Sequence, residues 1–285
     1  MAKQEDPPYP PLIDADDAAA NEVDAPAARW DSAVPAPAED VELKIRRQDD
    51  PFTKPYWQRF RLPAYPGDNV VAVLRALRLN PVTMEGERVD PVAFEHNCME
   101  EVCGSCAMLI NGLPRQACAA LVAELARPIV LEPLPKFPLV RDLMVDRGRL
   151  FEQYKRVKAW ISIDGSWDTH QPGLVLSPQQ AAAAYPYSRC MSCGCCMAAC
   201  PQYDETLDFV GPAPLAQVRL LNAHPHGRHE RTERLHAIMG TGGLSDCGNA
   251  QNCVRVCPKS IPLTTAIGEL GRATTVQALK DLFGD

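Results

Sequence analysis

Five cysteines fall within eleven residues: Cys190, Cys193, Cys195, Cys196 and Cys200, with Pro201 directly after the last. A stretch this dense in thiols has few ways to fold. Disulfide pairing needs an oxidising compartment, and the acidic N-terminus lacks the apolar core of a secretion signal. With Cys195 set aside, the spacing is C-x2-C-x2-C-x3-C-P. That run wraps a cubane iron–sulfur cluster: three thiolates go to one cluster, and the fourth, before the proline, goes to a different one. The stretch therefore requires a second cysteine set, and Cys247, Cys253 and Cys257, followed by Pro258, supply it. Gly194, Ala198 and Ala199 are small where backbone must approach the inorganic core. Pro201 ends the loop because it has no N–H to continue it. The non-redox alternative is a structural zinc-binding interaction module, but zinc calls for four ligands in two pairs.

A second motif lies upstream. Cys98, Cys103 and Cys106 have the C-x4-C-x2-C spacing of a plant-type [2Fe–2S] site, and Cys118 follows. Gly104 and Ser105 suit a tight wrap. Ala107–Ile110 reads as a short apolar strand, and Asn111-Gly112 is a strong hairpin signal. The returning arm then delivers Cys118 as the fourth thiolate. The bland alternative is four packed free cysteines.

Counting ligands divides the remainder. A complete second cubane run would place a cysteine at position 250, where the chain has Ala250. Under the crossed-ligand rule, Cys190, Cys193, Cys196 and Cys257 form a set of four, suited to [4Fe–4S]. Cys200, Cys247 and Cys253 form a set of three, suited to [3Fe–4S]. Of the chain's 12 cysteines one is left, Cys195. It reads as a buried packing thiol, with tuning of a neighbouring cluster as the alternative. Three one-electron centres and no catalytic acid, base or nucleophile describe a wire. A two-electron donor such as a flavin must sit elsewhere.

The rest of the chain fits two domains after a tail. Its 285 residues carry a net charge of −7, which argues against a nucleic-acid partner. Residues 1–40 hold ten acidic and two basic side chains amid Ala and Pro, and read as a disordered extension. No apolar run approaches the roughly 18 residues that span a bilayer. From Val41, the alternation of Val41, Leu43 and Ile45 predicts a strand, and Tyr56–Leu62 a second. Val70, Val73, Leu74 and Leu77 recur at helical spacing, with Asp68 as N-cap. Strand, strand, helix opens a β-grasp sheet, and Ile129–Leu134 closes it. Pro133, Pro135 and Pro138 read as a linker. Beyond it helices are expected at Leu150–Val157, after Ser177-Pro178, at Leu215–Leu221, at Leu235–Met239 and from Ile261. His224, His226, His229 and His236 read as a solvated face rather than a metal site. Gly240-Thr-Gly242-Gly243 reads as a loop or helix cap rather than a phosphate loop. The expected class is α+β: a β-grasp plant-type ferredoxin domain over 41–139, then an all-α bacterial-ferredoxin-like domain over 140–285.

Plant-type cysteines followed by crossed bacterial-type cysteines, with alanine at one corner, resemble the iron–sulfur subunit of succinate dehydrogenase and fumarate reductase. Gly211-Pro-Ala-Pro, Gln217-Val-Arg-Leu, Asn222-Ala-His-Pro and the whole 247–265 stretch carry the resemblance further. It covers 41–285 and is nearest the menaquinone-linked, Gram-positive-like type. It implies a flavoprotein partner with FAD and a membrane anchor, a dihaem cytochrome b. Electrons would pass through [2Fe–2S], [4Fe–4S] and [3Fe–4S] to menaquinone, the chain lying peripherally on the cytoplasmic face of the cell membrane. The same wire could run as fumarate reductase. A cluster subunit of another dehydrogenase is a further alternative, though such subunits carry paired complete motifs. Ubiquinone-linked relatives have tryptophan shortly after the Cys-Pro and histidine after the first cysteine of the second run. This chain has Gln202-Tyr203 and Gly248, which shifts the quinone site towards the anchor.

Overall fold

Strict alternation makes β1 (Glu39–Arg47) the spine of the N-terminal half: Val41, Leu43 and Ile45 are fully buried, and the residues between them are not. The computed structural model describes residues 39–162 and 175–284. The acidic extension expected over 1–40 therefore lies outside the described residues, apart from Glu39 and Asp40. Residues Pro37–Asp285 form one compact unit.

β1 pairs antiparallel with β2 (Tyr56–Ala64) along its whole length, from Glu39 opposite Ala64 to Arg47 opposite Tyr56. Its other edge pairs in parallel with β5 (Ile129–Glu132), Leu43 opposite Ile129. β5 in turn runs antiparallel to β3 (Ala107–Ile110), which returns through a tight turn as β4 (Leu113–Gln116). The order is β2-β1-β5-β3-β4. β5, the last strand of this sheet in chain order, sits in its middle. The turn is made by Asn111 and Gly112, both at positive φ (50° and 78°), as a two-residue hairpin matched to strand twist requires.

α1 (Val70–Leu79) covers this sheet with Val70, Val71, Val73, Leu74 and Leu77. Its cap is Asn69, whose side chain accepts from the Ala72 N–H at 2.9 Å, and not Asp68 as the sequence reading had it. Asp68 instead closes the preceding turn, its carboxylate accepting from the Tyr65 N–H at 2.8 Å. The cap must sit one residue before the first helical residue, and the helix begins at Val70.

The proline region holds a small hairpin, β6 (Leu139–Arg141) and β7 (Met144–Val145). It is pinned by a buried ion pair: Arg47 Nε donates to Asp142 at 2.8 Å, with the two side chains 1% and 0% exposed. Asp142 also accepts from the Gln48 and Ala93 N–H groups, at 3.1 and 2.9 Å. Leu143 packs into the sheet's core, whereas Ala107, Leu134 and Phe137 pack into the second core.

That second core gathers α2 (Gly148–Arg156), α3 (Pro178–Ser188), α4 (Cys195–Ala198), α5 (Pro212–Ala223), α6 (Arg231–Met239), α7 (Asn252–Arg255) and α8 (Leu263–Phe283). Ser177 and Pro178 start α3 with a reciprocal cap in which Gln180 bonds back to the Ser177 N–H. Buried Arg234 donates to the carbonyls of Lys158 and Trp160 (3.1 and 2.9 Å) and to Glu230 (2.8 Å), fastening the segment after α2 to α6. Gly240 ends α6, and the glycines after it form a packed turn in which a Cβ on Gly243 would meet the Ile238 carbonyl at 2.1 Å. Among the described residues no three His, Cys, Asp or Glu side chains converge on a single ion; His236 instead bonds Asp281 at 2.9 Å.

Candidate metal centres

Local backbone geometry brings the cysteines of the first motif together in two pairs. Between Cys98 and Cys106 the chain turns through left-handed residues at Met99 (φ 61°), Glu101 (54°) and Gly104 (76°). These turns direct the N–H groups of Glu100, Val102 and Cys103 at Cys98 Sγ, at 3.4, 3.3 and 3.3 Å. Ser105 bonds Cys103 Sγ through its hydroxyl, at 3.2 Å, and through its N–H, at 3.5 Å. Cys106 and Cys118 are brought together from the two arms of the β3–β4 hairpin, and the Cys118 N–H points at Cys106 Sγ at 3.4 Å. A loop that aims several N–H groups at sulfur is built for thiolate rather than thiol. Burial would raise the Cys103 thiol, but bonds from Cys98 and Ser105 draw it down to about 6. Burial pushes Cys106 up to about 12. A metal that takes Cys106 must displace its proton, since only thiolate ligates.

The remaining predicted ligands surround two separate cavities. Cys190, Cys193, Cys196 and Cys257 line one of them, together with Gly194, Ile261 and Leu263. Cys200, Cys247 and Cys253 line the other, with Ala250, Pro212 and Thr264 among their neighbours. Cys257 thus faces the first run from 61 residues beyond Cys196, while Cys200, inside that run, faces the second. Ala250 sits between two left-handed residues, Asn249 (φ 51°) and Gln251 (φ 62°), and presents a methyl group to the second cavity. Burial raises the thiols of Cys190, Cys196, Cys200 and Cys253, the last to about 11. Cys193 is drawn down to about 7 by the neighbouring Cys195 thiol, against burial.

The seven later ligands therefore divide into four and three around the two cavities, while in the first motif Cys98 contacts Cys103 and Cys106 contacts Cys118. Cys195 belongs to none; it is fully buried in the core on α4. The donor chemistry fits iron–sulfur clusters: soft sulfur donors, a mostly small and apolar wall around the four-thiol cavity, a wall around the three-thiol cavity that adds polar Gln202, Asn249, Gln251, Asn252 and Thr264, and backbone N–H groups aimed at sulfurs. Sequence reasoning missed the side chains packed around the sulfurs. The Tyr154 hydroxyl lies 3.1 Å from Ser192 Oγ and 4.0 Å from Cys190 Sγ. Lys136 donates to the Cys200 carbonyl, and Arg147 donates to the Ser105 carbonyl at 2.6 Å. Gln116 lies between Cys106 and Cys195. None of these stands in a motif; only the fold brings them to the sulfurs.

Gly104 joins the two halves. A Cβ there would stand 2.9 Å from both Cys193 Cα and the Met191 carbonyl oxygen, so the first loop rests directly on the second run.

Both cysteine-rich stretches lie within regions that match known cluster-binding families. Residues 42–152 match the family described as a 2Fe-2S iron-sulfur cluster binding domain. Residues 186–261 match the 4Fe-4S dicluster domain. The chain is 51% identical over 244 residues to the succinate dehydrogenase iron-sulfur subunit of Bacillus subtilis, covering 86% of this chain and 96% of that one. It is 33% identical over 223 residues to the fumarate reductase iron-sulfur subunit of Wolinella succinogenes, covering 77% and 90%. Its fold resembles a chain of the Mycobacterium smegmatis Sdh1 complex in the apo form, with a TM-score of 0.70 at 22% identity over 86% of this chain and 98% of that one.

Proposed function

The chain belongs to the family of succinate dehydrogenase and fumarate reductase iron–sulfur subunits, and from that premise we propose that it is the electron-transfer subunit of a succinate:quinone oxidoreductase. The clusters supply one-electron carriers, which is what joins the two-electron chemistry of a flavin to quinone. The chain's own part is to hold them, exclude water and set their surroundings. We assign [2Fe–2S] to Cys98, Cys103, Cys106 and Cys118, [4Fe–4S] to Cys190, Cys193, Cys196 and Cys257, and [3Fe–4S] to Cys200, Cys247 and Cys253. The observation that carries this is the pair of cavities, each ringed by its own thiols, with a methyl group where a fourth ligand of the second would stand.

Two cores support a division near residue 139 into a sheet domain and a helical domain, with Leu134 and Phe137 reaching forward and Leu143 reaching back across it. The partners are a flavoprotein bearing FAD and a membrane anchor, which we read as a dihaem cytochrome b binding menaquinone. We read the complex as oxidising succinate, as the name of the Bacillus subtilis relative at 51% identity suggests, and place it at the cytoplasmic face of the membrane. No described helix is long and apolar enough to cross a membrane.

Iron analysis and electron paramagnetic resonance of the purified complex test the assignment. About nine irons per chain and an oxidised [3Fe–4S] signal are expected. Two [4Fe–4S] centres with no [3Fe–4S] signal would overturn it, and a colourless zinc protein would overturn the redox reading altogether.

A further inference from the structure

Gln116 ends β4, two residues before Cys118, and is 1% exposed. Its amide lies between two sulfurs from different halves of the fold. Gln116 Oε1 is 3.4 Å from Cys106 Sγ, and Gln116 Nε2 is 3.6 Å from Cys195 Sγ, 79 residues away in sequence. Cys195 has a second contact, a hydrogen bond with Cys193. A buried amide must satisfy both its ends, and among the described residues the hydrogen bonds of its side chain are with these two sulfurs. In this orientation the Cys106 thiol donates to Oε1. Once Cys106 ligates iron it is a thiolate, which has no proton to give. A carbonyl oxygen facing an anion at that distance is repelled. An amide's two ends are nearly isosteric, so a half-turn of the terminal torsion exchanges them. Nε2 then donates to the Cys106 thiolate, and Oε1 accepts from Cys195, which ligates nothing and keeps its S–H.

We propose that Gln116 and Cys195 form a relay that tunes the [2Fe–2S] centre: the Cys195 thiol holds the Gln116 amide so that its N–H donates to Cys106. This rests on the assignment of Cys106 to that cluster. Reduction places more negative charge on the cluster sulfurs, so a donor there favours the reduced state and raises the potential. Gln116 is a positioning and tuning residue, and Cys195 acts through it. In the opposite orientation Cys195 would instead donate to Cys193, and the [4Fe–4S] centre would carry the effect.

Redox titration of the whole complex, followed by electron paramagnetic resonance, separates the two. Gln116→Leu removes the donor at similar volume. It should lower the reduced-to-oxidised ratio of [2Fe–2S] at fixed potential by roughly threefold to tenfold, tenfold being about 59 mV for a one-electron centre. Cys195→Ala should shift the same centre in the same direction by less, and the double variant should shift no further than Gln116→Leu. An unchanged [2Fe–2S] potential in Gln116→Leu, or a Cys195→Ala shift confined to [4Fe–4S], overturns the relay. Should Gln116→Leu fail to assemble, Cys195→Ala decides alone, and an unchanged [2Fe–2S] potential overturns it. Failure of the ligand assignment looks different: substitution Cys106→Ser would then leave the [2Fe–2S] signal in place.

Discussion

Ala250 presents a methyl group to the cavity lined by three thiols, where the other cavity has four. At Ala250 a thiolate could hold a fourth iron and would add negative charge, which favours the oxidised cluster and lowers its potential. Ala250→Cys is therefore expected to raise iron to about ten per chain, replace the [3Fe–4S] signal by a second [4Fe–4S] signal, and slow quinone reduction. Succinate oxidation with an artificial acceptor at the flavin should survive. Iron analysis together with spectroscopy checks this, and an unaltered [3Fe–4S] signal would count against the corner assigned to Ala250. Gly104 is constrained from two sides. Its φ of 76° is one that L side chains rarely adopt, and a Cβ would meet backbone atoms 2.9 Å away that cannot swing aside. Gly104→Ala should lower the thermal midpoint and diminish the [2Fe–2S] signal, because the loop must lift off Cys193 and Met191. A variant with normal midpoint and full signal would mean that the contact gives way freely.

At the scale of elements, the hairpin of β6 and β7 is held by charge more than by its few ladder bonds. Asp142 is fully buried and serves β1 through Arg47 and Gln48 and the chain before the first cysteine loop through Ala93. Arg47 in turn donates to the Gln58 side chain at 2.7 Å and the Asp90 carbonyl at 3.1 Å. Removing one partner strands the other charge in a dry site, at a cost of about 3–5 kcal/mol. Asp142→Ala should show that loss as a fall in the denaturant midpoint, and Asp142→Asn a smaller one. Equal midpoints for Asp142→Ala and the parent would show that water reaches Arg47. The short helices α4 and α7 are a different kind of element. Neither could stand alone at four residues. Each is fixed by the cavity it lines, and the Asn252 side chain ties α7 to the Ala199 carbonyl at 3.2 Å.

At the scale of the molecule, the two cores meet at the cysteine loops, where Gly104 rests on Cys193 and Met191, so losing a cluster is expected to weaken the fold as well. The acidic N-terminal residues stand apart from this by composition. Because β1 starts at Glu39, and Arg127 bonds Glu39 at 2.6 Å, a deletion should stop before the strand. Removing residues 1–36 is expected to leave iron content and succinate–quinone activity unchanged; loss of any cluster would show that the segment supports the fold. Two cores built around metal-binding loops also imply that unfolding and iron loss coincide, which parallel absorbance and circular dichroism melts would reveal.

Much of what depends on neighbours a few residues apart was legible in the sequence. Loop spacing fixed which cysteines could converge, alternation fixed β1, Asn111-Gly112 fixed the hairpin, and Ser177-Pro178 fixed the start of α3. Those patterns are enforced by backbone geometry within a turn or a strand, so they are written locally. Even the cap of α1 failed only by one residue. What tertiary structure alone decided lies far apart in the chain. β5 became a central strand because it pairs with β1 on one side and β3 on the other. The proline segment became a hairpin because Asp142 meets Arg47, 95 residues away. Gln116 meets Cys195 across 79 residues and carries no periodic signal at all. Burial, not spacing, gives these polar groups their partners, and burial exists only once both cores have closed.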